Sequence, residues 1–146
     1  MAKGYPDFFG FSSFPWYGST QLSYVSELNI ANLATQELSN ISGKGVLLNG
    51  NIRIRSAELK PDLIDLSLYI DNVMIFSKDL YWIFYRNFTS NLDAPIYVTF
   101  YSDYAKEYWF SVSTNMNYQD GVKLEVTNLS GGLIDAFSWI YYTRIL

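Results

Sequence analysis

Asp62, Asp65 and Asp71 are the acidic residues whose spacing invites a test for general acid–base chemistry. Glycoside hydrolysis needs two carboxyls about 5–9 Å apart. Alternation along an extended strand places Asp65 and Asp71 on one face but about 20 Å apart, so they read as a solvated strand face. Asn117, Gln119 and Asp120 before Gly121 could offer loop oxygens to calcium, which takes about six to eight of them. No Asp-x-Asp-x-Asp-Gly run accompanies them, and ordinary turn chemistry is expected. Lys44, Arg53, Arg55 and Lys60 gather around one segment that also carries Asn49 and Asn51. Set against 14 acidic and 10 basic residues, a net charge of −4, that patch reads as a solvated or salt-bridged face. Nucleic acid is not an expected partner. The chain has no histidine and no cysteine. That excludes Ser-His-Asp triads, thiol nucleophiles, disulfides and the commonest metal ligands. The expectation is no enzyme: no catalytic residue, no metal and no cofactor.

Aromatic side chains are the other residues with something to offer. There are 13 Tyr, 10 Phe and 4 Trp, while charged residues make up only 16%, below the usual quarter. Such a chain is expected to be ordered and to have a sticky surface. Tyr69, Tyr97, Tyr101, Tyr104 and Trp109 fall on outward strand faces or turns. They could stack on sugar rings, or serve as protein–protein contacts, where Tyr and Trp are enriched. With so few charges, the contact reading is preferred. Asn40, Asn87 and Asn128 begin Asn-x-Ser/Thr triplets at expected loops or strand ends, where glycans can be attached.

The elements that must position these residues are strands. A length of 146 residues suits one domain that buries roughly two-thirds of its surface. Residues 1–19 stand apart. Tyr5, Phe8, Phe9, Phe11, Phe14, Trp16 and Tyr17 sit among glycines and prolines with no period. Gly and Pro rule out a long helix or a central strand there, so the segment reads as an extended arm. It either folds back on its own domain or reaches a neighbouring subunit. From residue 20 to 146 the pattern is that of one sandwich domain. Leu22, Tyr24, Leu28 and Ile30 alternate with polar residues. A weaker strand over 35–41 ends at the Ser42-Gly43-Lys44-Gly45 turn. Over 46–56, Val46, Leu48, Ile52 and Ile54 point one way, with Gly50 on the same face marking a bulge or a close neighbouring backbone. After a loop over 57–61, Ile64, Leu66, Leu68 and Ile70 face inward. Asp71-Asn72 reads as a two-residue hairpin turn before a return strand over 73–77. Residues 78–85 are ambiguous between strand and helical turn, and 87–94 form a loop. Ile96, Val98 and Phe100 share a face, as do Tyr108, Phe110 and Val112, and then Val122, Leu124 and Val126. Asn115 to Gly121 reads as loop. The last strand, 133–146, is apolar on both faces and is expected to be covered on both. Eight or nine closely spaced strands with no helical period predict an all-β antiparallel sandwich, best a single jelly roll of about eight strands. An immunoglobulin-like sandwich is the competitor, but its Cys…Trp…Cys pattern is missing.

The N-terminus lacks the continuous apolar stretch of a secretory signal. The richest apolar run, 80–85, is too short to span a bilayer.

The arm (Tyr5-Pro6-Asp7-Phe8-Phe9-Gly10, then Phe14-Pro15-Trp16-Tyr17-Gly18), the Ser42-Gly43-Lys44-Gly45 turn before a strand and Leu68-Tyr69-Ile70-Asp71 at the end of another carry a resemblance. In layout and composition the whole chain resembles small jelly-roll virion structural proteins (capsid, spike or fibre-head) of bacterial and archaeal viruses. High Tyr, Ile and Asn without Cys or His is also similar to proteins of hyperthermophilic archaeal viruses. The resemblance implies a building role in a virion, with copies of itself and other virion proteins as partners. A fibre-head role would instead imply a glycan or receptor as partner.

Overall fold

A computed structural model of the chain describes residues 19–58, 60–90, 94–113 and 115–145. The arm residues Tyr5, Phe8, Phe9, Phe11, Phe14, Trp16 and Tyr17 lie outside them.

Ten strands are found among the described residues: β1 (Ser19–Ile30), β2 (Ala34–Ser42), β3 (Lys44–Ser56), β4 (Ile64–Ile70), β5 (Val73–Asp79), β6 (Ile96–Ser102), β7 (Glu107–Val112), β8 (Met116–Tyr118), β9 (Gly121–Asn128) and β10 (Ile134–Ile145). Every pairing is antiparallel. β1 pairs with β10, β2 with β9, β3 with β7 and β4 with β5, each pair nested inside the one before. The chain is therefore one long ribbon whose tip is the β4–β5 hairpin, rolled so that successive rungs alternate between two sheets. One sheet runs β1-β10-β3-β7-β6, with β8 also on β3, and the other runs β2-β9-β4-β5. This winding is the jelly roll; β6 and β8 are additions to its eight strands.

Alternation builds the core. Ile52, Ile54, Ile64, Leu66, Leu68, Tyr108, Phe110, Val112, Leu124 and Val126 are all sealed between the sheets. The sequence pattern misplaces side chains where a strand bulges, because one extra residue moves everything beyond it to the other face. β1 shifts register between Val25 and Leu28. Leu28 and Ile30 face the core as expected, but Leu22 and Tyr24 turn outward, 49% and 56% exposed. Ser23 takes the inward place and shares a 2.7 Å hydrogen bond with Ser39 on β2. The β3–β10 ladder shifts opposite Tyr141 and Tyr142, so Leu47 is buried while Val46 and Leu48 are half-buried. At Gly50 it is side chains rather than a neighbouring backbone that come close: an added Cβ would stand 3.1 Å from Ile140 Cγ1 and 3.4 Å from Val112 Cβ. In β6 the shift between Val98 and Phe100 turns Phe100 out and Tyr101 in.

Local signals decide the connections. Asp71 (φ 53°) and Asn72 (φ 65°) both take left-handed backbone, as a type I′ hairpin requires. The ambiguous stretch becomes a short helix, α1 (Leu80–Tyr85), because Asp79 caps it: Oδ1 accepts the Trp82 N–H at 2.7 Å. β8 lies where only loop was expected. It is held by pairing to β3 and by the Tyr118 hydroxyl, which donates to the Thr143 carbonyl at 2.6 Å. Among the described residues no helix is long and apolar enough to cross a membrane.

Candidate functional site

The outer face of the six-stranded sheet concentrates what the described residues offer for recognition. Registered across four neighbouring strands, Phe137, Arg53, Trp109 and Phe100 form one row. The next row is Tyr24, Trp139, Asn51, Ser111 and Tyr97. Leu22 and Tyr141 begin a third. Rings meet edge to face at Tyr24–Phe137 (5.7 Å between centroids) and Trp139–Tyr141 (5.3 Å). β10 is thus apolar on both faces, as its sequence says, but among the described residues no second layer covers its outer side. The rings shelter one another and Arg53 instead.

Arg53 lies in this aromatic field, its guanidinium 5.2 Å from the Phe137 ring centre and 5.8 Å from that of Trp109. Asp135 holds it at 3.7 Å and holds Arg55 more closely, at 2.8 Å. The basic patch expected from Arg53, Arg55, Lys44 and Lys60 is therefore neutralised where the two arginines sit, and Lys44 is at the far end of β3. Trp109 Nε1 donates to Glu107 at 3.0 Å, and Ser111 donates to the Asn51 side-chain oxygen at 2.9 Å. Arg53 Nε and Asp135 Oδ1 are buried without a hydrogen-bond partner. The arrangement can stack flat groups and hydrogen-bond to them.

The five aromatics expected at the surface do not form one site. Tyr97 and Trp109 share the outer face just described. Tyr69 lies on the opposite sheet under Lys123, whose ammonium is 4.3 Å from its ring. Tyr104 stands 93% exposed in the β6–β7 turn. Tyr101 is corrected by the β6 bulge: it stacks on Phe84 at 4.0 Å and tilts against Tyr108 at 4.7 Å. Burial pushes its hydroxyl well above the ordinary tyrosine range, helped by Asp103. Phe137, Trp139 and Tyr141 belong to the face, and their period-2 spacing was the signal that groups them.

The other expected sites resolve differently. Asn40 and Asn87 are exposed, but Asn128 is fully buried. Its amide donates to the carbonyls of Ile30 (3.0 Å) and Gly132 (2.8 Å), so no glycan can be attached to it in the folded protein. The loop carrying Gln119 and Asp120 turns its amides, rather than oxygens, toward a partner, the Asp71 carboxylate. That polarity is opposite to a calcium site. Among the described residues no group of three acidic side chains comes together for a metal. Alternation overlooked one acidic pair: Asp65 lies directly opposite Asp79 in the β4–β5 ladder. Partial burial, reinforced by Asp79, holds the Asp65 carboxyl above its ordinary range. Asp79 is committed to capping α1.

No protein-family model matches the chain, and no curated protein matches it. Among solved structures it is similar to the crystal structure of dimeric latent PorU from Porphyromonas gingivalis, with 16% identity and a TM-score of 0.50 over 89% of this chain. The chain spans 13% of that protein's length. At this identity the likeness is one of fold.

Proposed function

We propose that the protein is a non-enzymatic structural subunit of a virus particle, located in the virion and assembling through strand faces, aromatic contacts and the N-terminal arm. One observation carries the reading: exposed apolar side chains lie both on the outer face of one sheet and, on the other sheet, along β5 and the adjoining α1. Leu22, Tyr24 and Tyr141 lie on the outer sheet face, and Val73, Met74 and Ile75 lie along β5. Tyr81, Phe84 and Tyr85 lie on α1. Large exposed apolar patches mark interaction surfaces. A ligand-binding module needs one such patch, whereas a subunit in a closed assembly touches neighbours on several sides. The absence of His and Cys from the sequence supports a role without catalysis.

A second reading, a carbohydrate- or receptor-binding module such as a fibre head, is favoured by the outer face alone. There edge-to-face and tilted rings adjoin Arg53 Nε and Asp135 Oδ1, two polar atoms without partners. Light scattering and electron microscopy of the full chain separate the two. A stable homo-oligomer or shell is the expected result. A clean monomer that binds a glycan array would overturn the structural reading in favour of the second.

A further inference from the structure

Apart from the three-residue β8 on β3, the two sheets end in four edges, β1, β6, β2 and β5. Each of them bulges once, β5 at Ile75. β2 also presents the exposed polar side chains of Thr35, Gln36, Glu37 and Asn40. β6 is partly covered, since Val98 N–H donates to the Phe88 carbonyl at 2.8 Å. β5 stands out for its apolar exposure. Among the described residues nothing pairs with its outer edge, and Val73, Met74 and Ile75 are exposed in succession. Native proteins normally protect such an edge, because its free amides and carbonyls template another strand.

Beside β5 runs a groove of about 460 Å³, lined by Met74, Phe76, Trp82, Phe88 and Pro95 among others. Two cations stand over its indole: Lys78 Nζ is 4.6 Å from the Trp82 ring centre and the Arg86 guanidinium 5.6 Å. Neither belongs to the ion pairs found among the described residues, which join Arg53, Arg55 and Lys123 to carboxylates. The complement to this edge is an extended, aromatic segment carrying a carboxylate.

The chain holds one such segment outside the described residues. Between Pro6 and Pro15, residues 7–14 read Asp-Phe-Phe-Gly-Phe-Ser-Ser-Phe, eight residues free of proline. β5 is seven residues long. Asp7 is the one acidic residue before Ser19.

We propose that residues 7–14 of one copy add along the open edge of β5 of a neighbouring copy, with phenylalanines in the groove and Asp7 facing Lys78 and Arg86. The inference rests on the structural-subunit reading and names the contact that would join its copies. Reach favours a neighbour. β1 packs over β2 through Ser23 and Ser39, and β5 stands three strands beyond β2. That is about 14 Å sideways plus a sheet separation of about 10 Å. Five residue steps from Phe14 to Ser19 span at most about 17 Å. A chain could reach its own β5 only by stretching straight across the end of the sandwich.

The chain has no cysteine, so single cysteines report the contact cleanly. Full-length Phe11→Cys and Ile75→Cys are mixed, oxidised and run on a non-reducing gel. Paired strands bring Cα atoms within disulfide range. A covalent dimer containing one of each variant is the expected result. A double variant that forms only an intramolecular bond, while the mixture forms none, overturns docking between copies. In parallel, Asp7→Lys and Lys78→Glu should each weaken assembly about tenfold or more, and their mixture should recover it. Failure to recover, with both variants folded by circular dichroism, overturns the charge pairing. An oligomer that persists without any cross-link sinks this inference alone. A full-length monomer sinks the structural-subunit reading with it.

Discussion

Asp71 Oδ1 and the backbone nitrogen of Asp120, 2.6 Å apart, clip the β4–β5 hairpin to the loop that leads into β9. The same carboxylate receives the N–H groups of Gln119 (2.9 Å) and Gly121 (3.1 Å). The Asp71 N–H returns a bond to the Gly121 carbonyl at 2.9 Å. Three consecutive amides converging on one anion form a nest. The tip of the rolled ribbon is thereby tied to the strand that follows β8.

Asp71 should therefore be an acid-sensitive latch. The Asp120 amide, followed by those of Gly121 and Gln119, holds its carboxyl below the ordinary value of 3.8, against a smaller opposing desolvation. A depressed folded pKa means that the unfolded chain binds the proton first. The stabilisation is present above the ordinary value and disappears as pH falls through the folded one. In hydrogen exchange at pH 7, Asp71→Asn should speed exchange at Gln119, Asp120 and Gly121. Its melting temperature should fall less steeply than the wild type's between pH 5 and pH 2. Parallel acid profiles would show that the nest contributes nothing.

The Asp65–Asp79 pair carries the opposite sign. Burial and then Asp79 hold the Asp65 carboxyl above 3.8, so the folded chain takes up its proton first. Its charged form opposes folding, and stability declines as pH rises from the ordinary value through the raised one. Asp65→Asn should raise the melting temperature at pH 7 and change little at pH 3. A lower melting temperature at pH 7 would mean that the carboxylate makes a contact that its amide cannot replace.

Core and surface should separate cleanly in denaturant melts. Ile52, Leu66 and Leu124 are fully buried, and each change to Ala should cost about 2–5 kcal/mol. Lys123→Ala loses a partly exposed ion pair with Glu125 at 3.4 Å and the contact of its ammonium with the Tyr69 ring at 4.3 Å, each contributing at most about 1 kcal/mol. Equal losses at all four sites would place the strand faces wrongly.

Much of this was legible in the residues. Leu66, Leu68, Leu124 and Val126 alternate without interruption, and Asp71-Asn72 can take the positive φ that a tight hairpin demands, so strands and tip could be located from spacing alone. The bulges at Val25–Leu28 and Val98–Phe100 could not, because no glycine or proline marks either one. Alternation alone therefore puts Leu22, Tyr24, Phe100 and Tyr101 on the wrong faces. β8 escaped because three residues are too few to show a period, and its support comes from Gly45 and Thr143, far away in sequence. Of the outer aromatic face, Tyr97 and Trp109 were recognised as outward-facing. Spacing groups Phe137, Trp139 and Tyr141 but predicts a covered face, since a strand apolar on both sides looks the same whether a second layer or its own rings shelter it.

Asn128 should prove structural. Besides its two donated bonds, its side-chain oxygen accepts from the Ser130 N–H (3.0 Å) and hydroxyl (2.7 Å). Asn128→Ala strands buried partners and should cost about 1–3 kcal/mol in urea melts. Asn128→Asp keeps the shape but buries a charge and removes both donors, so it should cost more. Secreted from a glycosylating host, the protein should carry any glycan at Asn40 or Asn87. Mass spectrometry that finds one at Asn128 of folded protein would contradict its burial.

Arg53 tests whether the outer aromatic face is an ordered surface. Its place on a polar strand face makes it look exchangeable, yet its side chain is only 18% exposed. It lies within cation–π distance of Phe137 and Trp109 while Asp135 orients it from one side. Each ring contact of this kind contributes about 0.5–1 kcal/mol. Arg53→Ala also uncovers both rings and leaves Asp135 with Arg55 as its single cation, so a loss of about 1–2 kcal/mol is expected. Arg53→Lys should fall between, because an ammonium keeps the charge but cannot lie flat between two rings. Denaturant melts of the three proteins should thus rank Arg above Lys above Ala, with a shift in tryptophan fluorescence for both variants. If Arg53→Ala melts like the wild type and leaves the fluorescence unchanged, the rings are held without the guanidinium, and the order of this face comes from ring-on-ring packing alone.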